Sequence, residues 1–227
     1  MRGRGESTSA GTEALDRAVA AFRAGEPVLV HDADDREGET DLLYPASAVT
    51  PAAVSRLRND GGGLVFVALT AVVADRFALP FLHEELDHPA NDHTDLDYDT
   101  RPSFSLTVNH RDSFTGVTDD DRARTIRRLG EASDDDGYDV EAFAEEFRTP
   151  GHVHLLRAAP GLLTERLGHT ELGLALAREA GVAPAVAGCE MLDDETGEAL
   201  STADALAYAR RHDLPFVEGA ALVDELT

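Results

Sequence analysis

The sequence predicts a single α/β domain with a mixed β-sheet flanked by helices. Helical and strand-like segments alternate along 227 residues, a length that can bury one substantial core. Neither an internal repeat nor an interdomain linker breaks the alternation. Several strand-like runs lack the helix that a parallel crossover requires, so a mixed sheet is expected rather than a purely parallel one.

The elements follow in order. Residues 1–12 carry basic side chains but no apolar stretch of a secretory signal, and are expected to form a disordered tail ahead of a domain over 13–227. Thr12 can cap a helix over 13–25, with Leu15, Val19 and Phe22 on one face and Gly25 as its stop. "PVLVH" (27–31) reads as a strand. "TPAAVSRLRNDGGG" (50–63) is a helix with Thr50 at the N-cap, Pro51 at the first helical position and glycines beyond its end. "LVFVAL" (64–69) is a buried strand and "SFSLTVN" (103–109) a half-buried one. "DDDRARTIRRLGEA" (119–132) is a helix whose acids sit at the favourable N-terminal end. "HVHLL" (152–156) is a strand, "TELGLALAREAG" (170–181) a helix and "AVAGCEML" (185–192) a strand. After the turn "DDETGE" come a helix capped by Thr202, the strand "PFVE" and a short terminal helix. The longest irregular stretch, 83–101, is acidic and is either a lid or a mobile excursion.

Composition narrows the chemistry. The formal net charge is -24, and all 20 basic residues are Arg. Such a balance repels phosphate backbones, and no basic patch offsets it, so no nucleic-acid partner is expected. An acidic, lysine-free surface suits concentrated salt, which screens self-repulsion. Without lysine there is no lysine Schiff base, so a sugar ketone would have to be polarised another way, most directly by a metal. The one cysteine, Cys189, excludes an internal disulfide and a cysteine-based zinc cluster. No apolar run reaches the length of a membrane helix, and the chain is expected to be cytoplasmic.

Four stretches carry chemistry, and a fifth adds a weaker signal. "DADDREGETD" (32–41) holds six acids around Arg36. It fails as an EF-hand loop: counted from Asp32, the sixth position is Glu37 and the twelfth is Leu43. Glu37 or Glu39 could bind Mg²⁺, although the stretch alone reads more readily as a salt-bridged surface turn. "RLGHTE" (166–171) places Gly168, His169 and Thr170 at a helix start, where backbone N–H groups form an anion cradle and Arg166 adds charge. "TPGHVHLL" (149–156) reads as a Pro150–Gly151 turn delivering His152 to a strand, where it would share a face with His154 and act as a general base. "GCEML" (188–192) puts Glu190 in an apolar strand, a costly place for a carboxylate unless it is paired or used. Cys189 would point to the other face, into the core. "FTGVTDDDR" (114–122) adds Thr115 and Thr118 beside Gly116 at another helix start, a weak signal alone.

Taken in order, "DADDREGETDLLYPA", "FTGVTDDDRARTI", "FRTPGHVHLLRA", "RLGHTE" and "CEMLDDETGEAL" resemble the 3,4-dihydroxy-2-butanone 4-phosphate synthase family of riboflavin biosynthesis, in an archaeal, halophile-like form. The resemblance runs from about residue 13 to the C-terminus. It implies Mg²⁺-dependent conversion of D-ribulose 5-phosphate to L-3,4-dihydroxy-2-butanone 4-phosphate and formate, with C4 leaving. By motif position it implies Glu37 and His169 as metal ligands. Substrate would be held by Arg36, Glu37, Asp41, Glu190 and the stretch Arg166, Leu167, Gly168, His169 and Thr170, with the phosphate on that stretch. His152 and Glu190 would be the groups essential for catalysis. It also implies a homodimer with sites at the interface. Because imidazole is not a preferred Mg²⁺ ligand, Mn²⁺ is expected to substitute. Two departures stand out: Phe66 occupies a place where family members commonly have Cys, and 83–101 looks longer than in bacterial forms. A metal-dependent sugar-phosphate isomerase or aldolase is the competing enzyme reading, and a nucleotide- or RNA-binding domain the competing non-enzyme one.

Overall fold

The computed structural model describes residues 4–32, 38–92 and 101–227. The alternating pattern closes into three layers, with helices packed on both faces of one sheet. Seven strands form one mixed sheet in the order β4-β5-β3-β6-β2-β1-β7. These are β1 (Val28–His31), β2 (Thr40–Pro45), β3 (Phe66–Leu69), β4 (Phe104–His110), β5 (Phe147–Arg157), β6 (Ala185–Glu190) and β7 (Phe216–Glu218). Pairs β1–β2, β2–β6, β3–β6 and β4–β5 are antiparallel, while β1–β7 and β3–β5 are parallel. The expected mixed sheet is therefore present.

The helices are α1 (Arg4–Arg23), α2 (Pro51–Arg56), α3 (Ala71–Arg76), α4 (Leu82–Glu85), α5 (Asp119–Ser133), α6 (Val140–Glu146), α7 (His169–Ala180), α8 (Thr202–His212) and α9 (Gly219–Leu226). Successive strand residues point to opposite faces, and each face has its own core. Leu29, Leu42, Tyr44, Val67 and Leu69 pack under α2, α3, α5 and α8. Val28, Val30, Leu43, Phe66 and Ala68 pack under α1, α7 and α9. Burial on both faces is why the central strands read as continuous apolar runs.

Several boundaries differ from the sequence reading. Thr12 lies inside α1 rather than at its start, and its hydroxyl donates to Glu225 Oε1 at 2.9 Å. The cap of α8 is Ser201, not Thr202; Ser201 accepts from the Asp204 N–H. Pro150–Gly151 is not a turn but part of β5. There β4 residues Val108 and Asn109 pair with Val153 and Arg148, so 149–152 bulge out of register. The stretch 83–101 begins in α4, and its residues 93–100 lie outside the described residues. The Thr50 cap is as expected, accepting from Ala53 N–H, and Thr118 caps α5, accepting from Asp121 N–H.

Candidate active site

The site forms where β2 begins and β6 ends, beside the start of α7. Antiparallel register pairs Asp41 with Glu190, and Val30 with Asp41. Asp41 alternates with Leu42, so its side chain shares the α7 face with Leu43. It is fully buried. Neither carboxylate oxygen has a hydrogen-bond partner among the described residues. Burial pushes its pKa up to about 8 even though His169 pulls it down; Glu190, Glu39 and Asp32 push it further up. Four acids thus converge with one imidazole at their edge.

The residues flanking Arg36 and Glu37 in the chain are tied to each other. Asp32 N–H donates to the Glu39 carbonyl at 3.0 Å, and Glu39 N–H donates to Asp32 Oδ1 at 3.0 Å. One residue further in, His31 Nδ1 and Thr40 Oγ1 are 3.0 Å apart. Arg36 and Glu37 themselves lie outside the described residues.

Glu190 is fixed by backbone. Its Oε2 accepts the Leu64 N–H at 2.7 Å, and Gly63 N–H donates to its carbonyl at 3.0 Å. A Cβ on Gly63 would stand 2.5 Å from Glu190 Oε2, so this approach requires glycine. Its neighbour Cys189 is buried among core residues of the opposite face, and burial raises its thiol to about 12, which leaves no nucleophile there.

His169 opens α7, with its ring 5.3 Å from that of Phe66. Phe66 is buried and fills the space over Gly188, where a Cβ would stand 2.5 Å from its Cζ. The aromatic ring of Phe66 thus supplies a floor for His169. Gly168, the N-cap, has no side chain to bond the first N–H groups of α7. The Thr170 hydroxyl is buried there without a hydrogen-bond partner among the described residues. Both features leave donors open for an anion. Arg166 is engaged from behind by fully buried Glu171 at 3.3 Å and by Ser103. Leu167 is largely exposed.

His152 stands apart from this group, exposed on the β5 bulge and bonded to Asn109. His154 lies nearer: it pairs with Phe66, and its pKa is lowered by burial while Glu190 acts against that shift. The structure therefore brings Asp41, Glu190, His169 and Thr170 together and places His152 two strands from β6. Sequence reasoning missed the grip of Leu64 on Glu190; the run of three glycines at 61–63 was the available signal.

Among the described residues no three His, Cys, Asp or Glu side chains form a metal cluster by themselves. The donor set nevertheless fits Mg²⁺, which takes one or two carboxylates and keeps several waters. The acids Glu190, Glu39 and Asp32 act on Asp41 with the same sign of charge, and His169 acts on it with the opposite sign.

Comparison with known proteins gives one answer. Residues 16–225 match the family model for 3,4-dihydroxy-2-butanone 4-phosphate synthase. The chain is 51% identical over 221 residues to the 3,4-dihydroxy-2-butanone 4-phosphate synthase of Archaeoglobus fulgidus, covering 92% of each chain. It is 48% identical to that of Methanosarcina mazei, covering 93% of this chain and 90% of the other. Among solved structures, a 3,4-dihydroxy-2-butanone 4-phosphate synthase in complex with two magnesium ions superimposes with a TM-score of 0.79 at 28% identity, over 93% of this chain and 95% of that one. A cation-free form of the same enzyme type gives 0.78 at 26% identity, over 93% and 95%. This chain belongs to the 3,4-dihydroxy-2-butanone 4-phosphate synthase family.

Proposed function

We propose that this enzyme converts D-ribulose 5-phosphate to L-3,4-dihydroxy-2-butanone 4-phosphate and formate in riboflavin biosynthesis, with Mg²⁺. The observation that carries this is the buried Asp41 carboxylate, which has no hydrogen-bond partner among the described residues, set among Asp32, Glu39 and Glu190 with His169 at its edge. A divalent ion held by Glu37 and His169 supplies positive charge against the oxyanion that develops when a proton leaves beside the ketone. Arg36 and Asp41 hold the sugar hydroxyls. The open N–H groups of α7 and the Thr170 hydroxyl take the phosphate, with Arg166, Leu167 and Gly168 shaping that cradle. Glu190, locked by the Leu64 N–H, moves protons at the reacting carbons, and His152 is the second group essential for the reaction. The phosphate stays on the product and C4 leaves.

Residues 13–227 act as one catalytic domain. Two copies pair with their sites at the interface, which would cover Phe114, 93% exposed, and Val117 on the loop next to Asn109. Mn²⁺ replaces Mg²⁺ in the same ligand set. The enzyme works in the cytoplasm; among the described residues no helix is long and apolar enough to cross a membrane. A charge of -24 with no lysine suits a salt-rich interior.

The test is formate release from ribulose 5-phosphate in concentrated KCl, with Mg²⁺ and with EDTA. Release with Mg²⁺ and none with EDTA is expected; no formate under either condition contradicts the reading. Glu37→Gln and His169→Ala are expected to lose turnover together with Mg²⁺ affinity, and full activity in either removes it from the ligand set.

A further inference from the structure

We propose that Asn109 is a positioning residue that fixes His152 as a hydrogen-bond donor, with the ring proton on Nε2. The inference rests on the reading of His152 as a participant in the reaction. Asn109 is buried, and the end of its amide nearest His152 lies 2.8 Å from the His152 backbone nitrogen. A main-chain N–H can only donate, so that end is the oxygen. The amide orientation follows from the hydrogen-bond network. The other end, the NH₂, then lies 3.1 Å from His152 Nδ1. A proton on Nδ1 would set donor against donor. Nδ1 is therefore bare, and the neutral ring carries its proton on Nε2. A proton on Nδ1 could reach the second lone pair of Oδ1 only over the longer 3.3 Å separation, and would still face the NH₂ at 3.1 Å.

The surroundings prevent the amide from turning. A Cβ on Gly116, whose φ is +85°, would stand 2.1 Å from Asn109 Nδ2, so the Gly116 backbone lies against the amide. That loop is pinned in turn by Asp121, which accepts the N–H groups of Phe114 at 3.1 Å, Thr115 at 3.1 Å and Gly116 at 2.9 Å. On the other side Gly151 N–H donates to Thr107 Oγ1 at 3.1 Å, and a Cβ on Gly151 would stand 2.0 Å from the Val108 carbonyl carbon. The motif "FTGVTDDDR", weak as a site of its own, thereby acquires a function.

The consequence reverses a role. A general base at the exposed nitrogen needs a free lone pair on Nε2. With Nδ1 facing Asn109, the exposed nitrogen instead offers a proton, so neutral His152 polarises a substrate oxygen as an electrophile.

Two-bond ¹⁵N–¹H correlation spectra of histidine-labelled, Mg²⁺-loaded enzyme test this directly. In the wild type, neutral His152 is expected to show an unprotonated Nδ1 and a protonated Nε2. Asn109→Asp keeps the shape but accepts at both contacts. It is expected to move the proton to Nδ1 and to lower kcat about 10²-fold, with KM changed less than about twofold. Asn109→Leu, folded by circular dichroism, is expected to mix the tautomers and lower kcat by a smaller factor. A protonated Nδ1 in the wild type overturns the proposal, as does an Asn109→Asp enzyme with a moved proton and unchanged kcat. If the wild-type tautomer is as stated but His152→Ala keeps full turnover, the role of His152 in the reaction falls and the tautomer assignment stands.

Discussion

Asp41 and Glu146 are both carboxylates withdrawn from water, and the fold treats them in opposite ways. Glu146, at the end of α6, receives Arg128, the Tyr138 hydroxyl at 2.6 Å and His110 Nε2 at 3.0 Å. His110 Nδ1 accepts the Asp112 N–H at 3.1 Å, so Nε2 carries the proton that reaches Glu146. Burial alone would raise Glu146, but these bonds, led by Arg128, hold it down to about 2. Asp41 has no such partners among the described residues, and burial sends it up to about 8. One carboxylate is satisfied by the scaffold. The other is kept charged or neutral only by what comes to the site, and that contrast distinguishes structural from functional acidity in this chain.

The largest effect that would sharpen the contrast comes from Asp41→Asn. Turnover is expected to fall by about 10³-fold, as for loss of a charged group that orients substrate. Stability should move the other way. A folded pKa above the unfolded value means a contribution that is present below about pH 4 and lost as pH rises through about 8. The EDTA-treated wild type should therefore lose Tm over that window, and Asp41→Asn should flatten the loss. An equal decline in both proteins breaks the account of Asp41.

Glu146→Gln should give a smaller effect of opposite sign. Here the folded pKa lies below the unfolded one, so the contribution is present above about pH 4.5 and lost as pH falls toward about 2. Its side chain is 19% exposed, so the loss at pH 7 is expected to be about 2–3 kcal/mol. It should be read by denaturant unfolding at pH 7 and at pH 3, where the gap to wild type should shrink. Turnover by the folded fraction should stay near wild type. A gap that persists unchanged at pH 3 would show that packing, not charge, is lost.

Legibility in the sequence followed the same division. The helices α5, α7 and α8 were readable from apolar periodicity, although α8 is capped one residue earlier than expected and α7 has no side-chain cap. Six of the seven strands were readable as apolar or alternating runs; β2 was not. Its sequence "TDLLYP" is short, buried on both faces and fused to an acidic loop, so it shows neither alternation nor a long apolar run. The short helices α3, α4 and α6 were missed because a turn or two depends on tertiary packing rather than propensity. Within the site, motif position named Asp41, His169 and Glu190, but not how they are held. The grip of Leu64 on Glu190 and the grip of Asn109 on His152 join residues 126 and 43 positions apart, and such pairs leave no local pattern.

The most direct measurement is NMR of the reaction with ribulose 5-phosphate carrying ¹³C at C4. The label is expected to appear in formate, with none in the four-carbon phosphate product, and to require Mg²⁺. Label retained in a sugar phosphate, or found in a three-carbon or two-carbon fragment, would instead mark an isomerase or aldolase and contradict the synthase reading.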